Sequence, residues 1–361
     1  MTKRKRVLLL GPSRLAAGGV STHLNQIFSS AIAKDFDLHH FQVGSEGRRE
    51  SRAGMICRLL ISPITLSITI IRYFPSIVHL NMSMGQKSYW RDLVYLIISK
   101  LMGQRVVFQI HGGLLPQELF SHSKLLTRLL RVVLRHCDII VLLARTELNA
   151  YREFVPKARL ELIANAIEVE GVIKKNTTPK PGPLKVVYVG RLIKTKGINE
   201  VIEAFYLLSK ENRKIQLTIA GSGQEKANLQ NRVTELGLDE FVVFAGEVFG
   251  AQKNKIWHEA DLFVFPTYHK EGLPYSVLES MAAGTPIITT RVGALPDIIE
   301  EGVHGFFVPA KDPEALAESI ARLDSDRELL ALMSSAARDR VIKEYSLSRL
   351  ANDFQRLYNS L

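Results

Sequence analysis

Short, wholly apolar runs closed by glycine or proline recur along this chain, and they narrow the folds open to it. Val7-Leu8-Leu9-Leu10 stops at Gly11-Pro12, and Leu262-Phe263-Val264-Phe265 stops at Pro266. A run that is apolar at every position, rather than at alternate ones, suits a strand buried on both faces. Further strands are expected at 76–80, 106–110, 139–143 and 160–165, then at 184–189, 216–220, 242–246 and 286–290. Helical segments separate them, among them 91–101 and one starting near Ser21. Such alternation predicts an α/β chain with parallel sheets covered by helices on both faces. The 361 residues are enough for two domains of ordinary size. The segment 172–183, VIKKNTTPKPGP, is polar, rich in Pro and without periodicity, and reads as a linker. The expected organisation is a first domain over 1–171, that linker, a second domain over 184–346, and a final helix over 347–361 that packs back on the first.

Charge is distributed unevenly. Residues 1–180 hold 26 Lys and Arg against 12 Asp and Glu, whereas 181–361 hold 21 against 24. A basic first half points to an anionic partner. Nucleic acid is disfavoured, because no reading motif and no run of stacking aromatics accompanies the charge. Two cysteines, Cys57 and Cys137, make no disulfide framework and suit a reducing compartment. The apolar stretch after Lys3-Arg4-Lys5-Arg6 is too short for a signal peptide. The longest apolar region, 59–71, contains Pro63 and falls short of the about 20 residues that span a bilayer. Residues 124–136, KLLTRLLRVVLRH, form an amphipathic helix in which Lys124, Arg128, Arg131 and Arg135 share one stripe. That stripe is expected to meet an anionic membrane surface or an anionic substrate.

The residues able to carry chemistry cluster where strands end. After the first strand, Gly18-Gly19-Val20 precedes a helix and allows close approach by a ligand. His111, followed by two glycines, stands at the carboxyl end of a strand, where open α/β sheets bind ligands. Gly190-Arg191 and Lys196 place two cations beyond the strand at 184–189, and both suit a diphosphate. Gly221-Ser222-Gly223 is a weak glycine turn without the third glycine of the dinucleotide fingerprint. Between Asp261 and Gly284 a strand, a loop and a helix follow one another. Pro274 suits the first helical position, and Gly272 and Leu273 offer N–H groups at the helix start. Glu271 lies in the loop and Glu279 on the second turn. Acidic groups beside an anion-binding helix start suit a molecule with both phosphates and hydroxyls, such as a sugar nucleotide.

Glu271-Gly272-Leu273-Pro274 with Glu279 resembles the signature of the retaining GT-B glycosyltransferases of family 4, and the other motifs extend the resemblance over nearly the whole chain. It implies two Rossmann-like, doubly wound domains facing a central cleft. It also implies roles: Arg191 and Lys196 on the donor diphosphate, Glu271 and His111 on the donor sugar, Glu279 on the ribose. Gly18, Gly19, Val20, Gly221, Gly272 and Leu273 would lie near the phosphates, and Val248 near the base. The implied reaction moves a hexose from a UDP- or GDP-sugar, with no metal and no other cofactor. Its acceptor is expected to be a saccharide linked to polyprenyl diphosphate, used in bacterial surface polysaccharide synthesis. The enzyme would then be cytoplasmic, held at the inner face of the cytoplasmic membrane. A sugar-nucleotide epimerase of the same architecture is the alternative, ahead of a non-enzymatic nucleic-acid binder.

Overall fold

A computed structural model describes residues 4–45, 50–169, 182–211 and 213–361, so the expected linker at 172–183 falls almost wholly outside the described residues. The chain forms two compact units, Met1–Ala166 with Leu347–Leu361, and Ile167–Ser346. Each holds one six-stranded, all-parallel sheet.

The first sheet consists of β1 (Arg6–Gly11), β2 (Asp37–Gln42), β3 (Ile77–Met84), β4 (Arg105–Gly113), β5 (Ile139–Leu142) and β6 (Leu160–Leu162). Its spatial order is β2-β1-β3-β4-β5-β6. The second consists of β7 (Leu184–Val189), β8 (Ile215–Ala220), β9 (Val242–Gly246), β10 (Leu262–Phe265), β11 (Ile287–Thr289) and β12 (Gly305–Phe307). Its order is β12-β11-β10-β7-β8-β9. Seven helices matter below: α1 (Gly19–Ser29), α2 (Arg52–Tyr73), α3 (Gln86–Leu101), α4 (Lys124–His136), α5 (Gly250–Glu259), α6 (Tyr275–Ala282) and α7 (Leu347–Asn359).

The apolar runs become central strands because both faces of each are covered. In the first unit Leu8, Val78, Val106 and Ile140 point to one side, into a core shared with Leu66 of α2, Leu96 of α3 and Leu130 of α4. Their neighbours Val7, Ile77, Val107 and Ile139 point to the other, onto Leu24 of α1 and Leu350 and Phe354 of α7. Burying each such side chain contributes about 1.5–3 kcal/mol.

Two elements depart from the sequence reading. β2 is an edge strand whose side chains are all half-buried, so DLHHFQ lacks the apolar run that marks the central strands. The apolar region at 59–71 is the middle of α2, a continuous 22-residue helix that contains Pro63. By length and composition alone α2 could cross a membrane, which corrects the expectation that the segment is too short. Ser51 caps its start by accepting from the Gly54 N–H.

Candidate functional site

β7 and β10 are neighbours, yet β8 continues outward from β7 and β11 outward from β10. The carboxyl ends of two such strands are the place where sheets of this topology form a crevice for ligands. Arg191 lies in the loop after β7, its side chain exposed, with its carbonyl accepting from the Tyr188 hydroxyl at 3.1 Å. Five residues on, Lys196 ends a single 3-10 turn over Lys194–Lys196 and is buried. Its Nζ pairs with Glu271 Oε1 and lies 5.0 Å from the Phe265 ring centre. The same carboxylate oxygen accepts from Thr267 Oγ1 at 3.0 Å. Burial draws the Lys196 ammonium below the ordinary lysine value, and the charge of Glu271 offsets part of that pull.

The two loops are laced together by backbone. Tyr268 N–H donates to the Thr195 carbonyl at 2.9 Å. Gly197 has φ +75°, and a Cβ there would stand 2.1 Å from the Pro266 carbonyl oxygen. Only glycine permits that approach, so Gly197 fixes the separation at which Lys196 meets Glu271.

Pro274 takes the cap position before α6, with ψ 132°, and the helix begins at Tyr275. The first helical position therefore falls one residue later than expected, because the extended ψ keeps Pro274 outside the helix. Gly272 and Leu273 form the bend just before it. Glu279, on the second turn, faces α5: its carboxylate accepts from Lys253 Nζ at 2.7 Å and from Trp257 Nε1 at 3.3 Å. Of the predicted donor residues, Lys196 and Glu271 are thus in contact, while Glu279 has partners of its own. Gly221 follows β8, and its N–H donates to the Gly246 carbonyl at 2.7 Å. A Cβ on Gly221 would lie 1.9 Å from the Gly190 carbonyl oxygen, so close backbone packing accounts for the glycine. Val248 is half-buried in the loop after β9.

In the first unit the reversal lies between β1 and β3. Gly18 caps α1, and Gly19 and Val20 form its first turn. His111 sits near the carboxyl end of β4, with Nε2 3.0 Å from Asn81 Oδ1. Asn81 Nδ2 donates to the Leu10 carbonyl at 3.2 Å, which turns the amide oxygen toward His111. His111 therefore carries its proton on Nε2 and leaves Nδ1 as an acceptor. Burial holds its pKa well below the ordinary histidine value, and the neighbouring His23 and His79 add to the effect. The ring centre of His23 is 4.7 Å from that of His111, and His23 Nε2 meets Gln109 Oε1 at 3.0 Å. His79 Nδ1 reaches the Tyr358 hydroxyl of α7 at 2.7 Å.

Lys124, Arg128 and Arg135 of the basic stripe are exposed. Arg131 is not free: its Nε donates to the Phe154 carbonyl at 3.1 Å and its guanidinium stacks 4.7 Å from the Phe154 ring centre. Among the described residues the stripe thus has three exposed cations without a recorded partner rather than four, the fourth being drawn onto the next helix by its planar head. Among the described residues, no group of three or more His, Cys, Asp or Glu side chains is placed to hold a metal ion.

Residues 170–340 match the model of the family described as glycosyl transferases group 1. That match spans 171 of the 361 residues, just under half of the chain. The group 1 segment contains Arg191, Lys196, Glu271 and Glu279 together with the whole β7–β10 crevice. An uncharacterized glycosyltransferase of Methanocaldococcus jannaschii is 35% identical over 176 residues, covering 48% of this chain and 44% of that one. The amylovoran biosynthesis glycosyltransferase AmsK of Erwinia amylovora is 28% identical over 196 residues, covering 53% and 48%. The matches thus span about half the length of these relatives. Among solved structures, Anabaena HepE in complex with UDP-glucose superposes with a TM-score of 0.75 at 17% identity, covering 99% of this chain and 100% of that one. Both sheets thus match a solved structure of GT-B architecture, a likeness of fold.

Three residues of the group 1 crevice escape sequence reasoning: Thr267, Lys253 and Trp257. Lys253 and Trp257 are four apart on α5 and so share a face, a pattern visible in the sequence. What it does not reveal is that this face meets Glu279.

Proposed function

We propose that the protein is a glycosyltransferase that moves a hexose from a nucleotide diphosphate sugar to a saccharide acceptor with retention of configuration, in polysaccharide synthesis. The observation that carries this reading is the convergence of Arg191, Lys196 and Glu271 at the topological switch of the group 1 segment. As the bond between the anomeric carbon and the diphosphate oxygen breaks, the electron pair stays on that oxygen. Arg191 and Lys196 are assigned to stabilise the growing charge. A diphosphate at Lys196 shares the ammonium with Glu271, and the carboxylate then turns to hydroxyls of the sugar. Glu279 is assigned to the ribose, and reaching it requires that it share or release Lys253. His111, neutral and with Nδ1 open, is assigned to accept from a sugar hydroxyl. The amylovoran relative supports a polysaccharide acceptor, and we assign to this chain one linked to a lipid diphosphate, met at the inner face of the cytoplasmic membrane. The UDP-glucose bound to Anabaena HepE makes uridine nucleotides the first donors to try.

The test is isothermal titration with UDP-, GDP- and ADP-sugars, followed by product analysis with and without saccharide acceptors. Micromolar binding of one nucleotide series, and turnover only when an acceptor is present, is the expected result. Interconversion of the sugar nucleotide without acceptor would show an epimerase instead. Absence of binding in all three series would remove the donor assignment.

A further inference from the structure

We infer that the layer formed by α2, α3 and α4 is a docking face for an anionic lipid bilayer, and that α2 lies along the bilayer surface rather than across it. These three helices cover the same side of the first sheet, since Leu66, Leu96 and Leu130 share one core. Their outer sides are apolar. On α2, Leu60 is 72% exposed, Ile64 61% and Ile68 57%, and Ile56 and Ile71 continue the row. Offsets of 4, 8, 12 and 15 from Ile56 keep that row within about 120° of arc. Trp90, Val94 and Ile97 are exposed on α3, and Leu125, Leu129 and Val132 on α4. A soluble surface rarely shows this many adjacent apolar side chains unless something covers them.

Two observations say what the cover is. The first is charge. The three helices carry ten Lys and Arg and a single acidic residue, Asp92, which is buried and paired with Arg91. Arg58 and Lys100 are also paired, with Glu50 and Asp138, but Arg52, Arg72, Lys87, Lys124, Arg128 and Arg135 are exposed. Lys124, Arg128 and Arg131 also line one open hollow with Gln117, a place for a headgroup phosphate. The second is the treatment of hydroxyls on α2. Thr65, Ser67 and Thr69 each donate to a carbonyl three or four residues earlier in the same helix, at 2.9, 3.0 and 2.7 Å. That arrangement satisfies them without water, as a lipid environment demands. A second copy of this chain would bring the same cations against themselves.

The helix is held in the plane of its layer. Ser62, Leu66 and Ile70 are buried, and the Ser62 and Tyr95 hydroxyls are 2.8 Å apart, so crossing a bilayer would strip α2 from α3 and from the core. Apolar side chains beside interfacial cations are the pattern of a helix lying at the headgroup boundary. The inference deepens the proposed function by saying where a lipid-linked acceptor is met, and only that meaning rests on the transfer reading. Vesicle binding is read without turnover, so either can fail alone.

The test uses the full chain with vesicles of phosphatidylcholine alone and of equal parts phosphatidylcholine and phosphatidylglycerol. Wild type is expected to sediment with the anionic vesicles and more weakly with the neutral ones. In a Leu60→Gln, Ile64→Gln, Ile68→Gln variant, partition to both should fall about tenfold or more, because the apolar contact is lost. A Lys124→Gln, Arg128→Gln, Arg135→Gln variant should keep the weak neutral binding and lose the anionic preference. Cys57 is exposed on α2 while Cys137 is buried, so a polarity-sensitive thiol dye on wild type labels this helix selectively. Its emission should shift to the blue on anionic vesicles and be quenched by lipids brominated near the headgroup. The dye decides the matter if the triple variant fails to fold. Absence of the shift, unchanged partition of the folded Gln variant, or quenching from the bilayer centre would overturn the inference. So would self-association of wild type, without lipid binding, that the same variant abolishes.

Discussion

Lys196 and Glu271 hold each other's charge in a place with little water, their side chains each 9% exposed. Removing one partner of a buried pair leaves the other uncompensated, at a cost of about 3–5 kcal/mol. Lys196→Met and Glu271→Gln are therefore each expected to lower the stability of the second unit, with Lys196→Met the larger effect because it strands a carboxylate. The double variant should recover much of the loss, and urea unfolding of all four proteins measures the coupling. Additive losses would mean that the pair is not coupled in solution. Arg191 differs, because its side chain is exposed. Arg191→Ala should leave the urea midpoint unchanged and weaken nucleotide binding by about 1.5–3 kcal/mol, roughly a tenfold to 150-fold loss. Calorimetry with the nucleotide that binds wild type checks it, and equal affinity would release Arg191 from the diphosphate. In sequence both cations are legible, since a Gly-Arg turn and a lysine five residues on follow an apolar run. That Lys196 meets Glu271 is not, because 75 residues separate them and only the β7–β10 pairing brings their loops side by side.

The strands were the most legible elements, because burial on both faces writes an unbroken apolar run. Where one side of a strand is open the signal fades, as in β2, whose Asp37, His39 and His40 look like loop. Pro63 hid α2 for a different reason: the pyrrolidine breaks one hydrogen bond, yet the helix runs through it on the packing of Leu66 and Ile70. Three histidines meet where α1 and α7 cover the first sheet, His23 on α1, His79 on β3 and His111 on β4, and these have a measurable consequence. Burial lowers His23 to about 4 and His79 to about 3. Both are thus neutral in the fold, whereas the unfolded chain takes up their protons near 6.5. Their contribution to stability is fully present above pH 6.5 and is lost as pH falls toward the folded values. Well below 6.5 each pH unit costs about 1.4 kcal/mol per histidine, and because the unfolded imidazole is only half protonated at 6.5, the first unit should lose about 3 kcal/mol between pH 6.5 and 5. Urea midpoints over that range measure it. A flat profile would mean that these side chains are hydrated and already titrate normally.

The two units have different relations to the chain. The second is one continuous segment, Ile167–Ser346, whereas the first is closed only when Leu347–Leu361 returns to it. Parallel sheets follow from the alternation of strands and helices, and the fold matches a solved structure of GT-B architecture over nearly its full length. What the alternation leaves open is how much the first sheet depends on its final helix. Leu350, Phe354, Leu357 and Tyr358 of α7 are buried against β1, β3, β4 and β5, and the Tyr358 hydroxyl bonds His79. Phe354 is fully buried and lies against the rings of both His23 and His79. Phe354→Ala should therefore cost about 3–5 kcal/mol, the range for truncating a buried aromatic. That loss belongs to the first unit, because the described side chains of this core all belong to it. Calorimetric unfolding should accordingly show two transitions in which the substitution lowers one and the bound nucleotide raises the other. The nucleotide shift follows mass action, about 2.7 kcal/mol at a hundredfold excess over Kd. If Phe354→Ala and nucleotide move the same single transition, the two units unfold as one, and the first unit's reliance on α7 is shared by the whole chain.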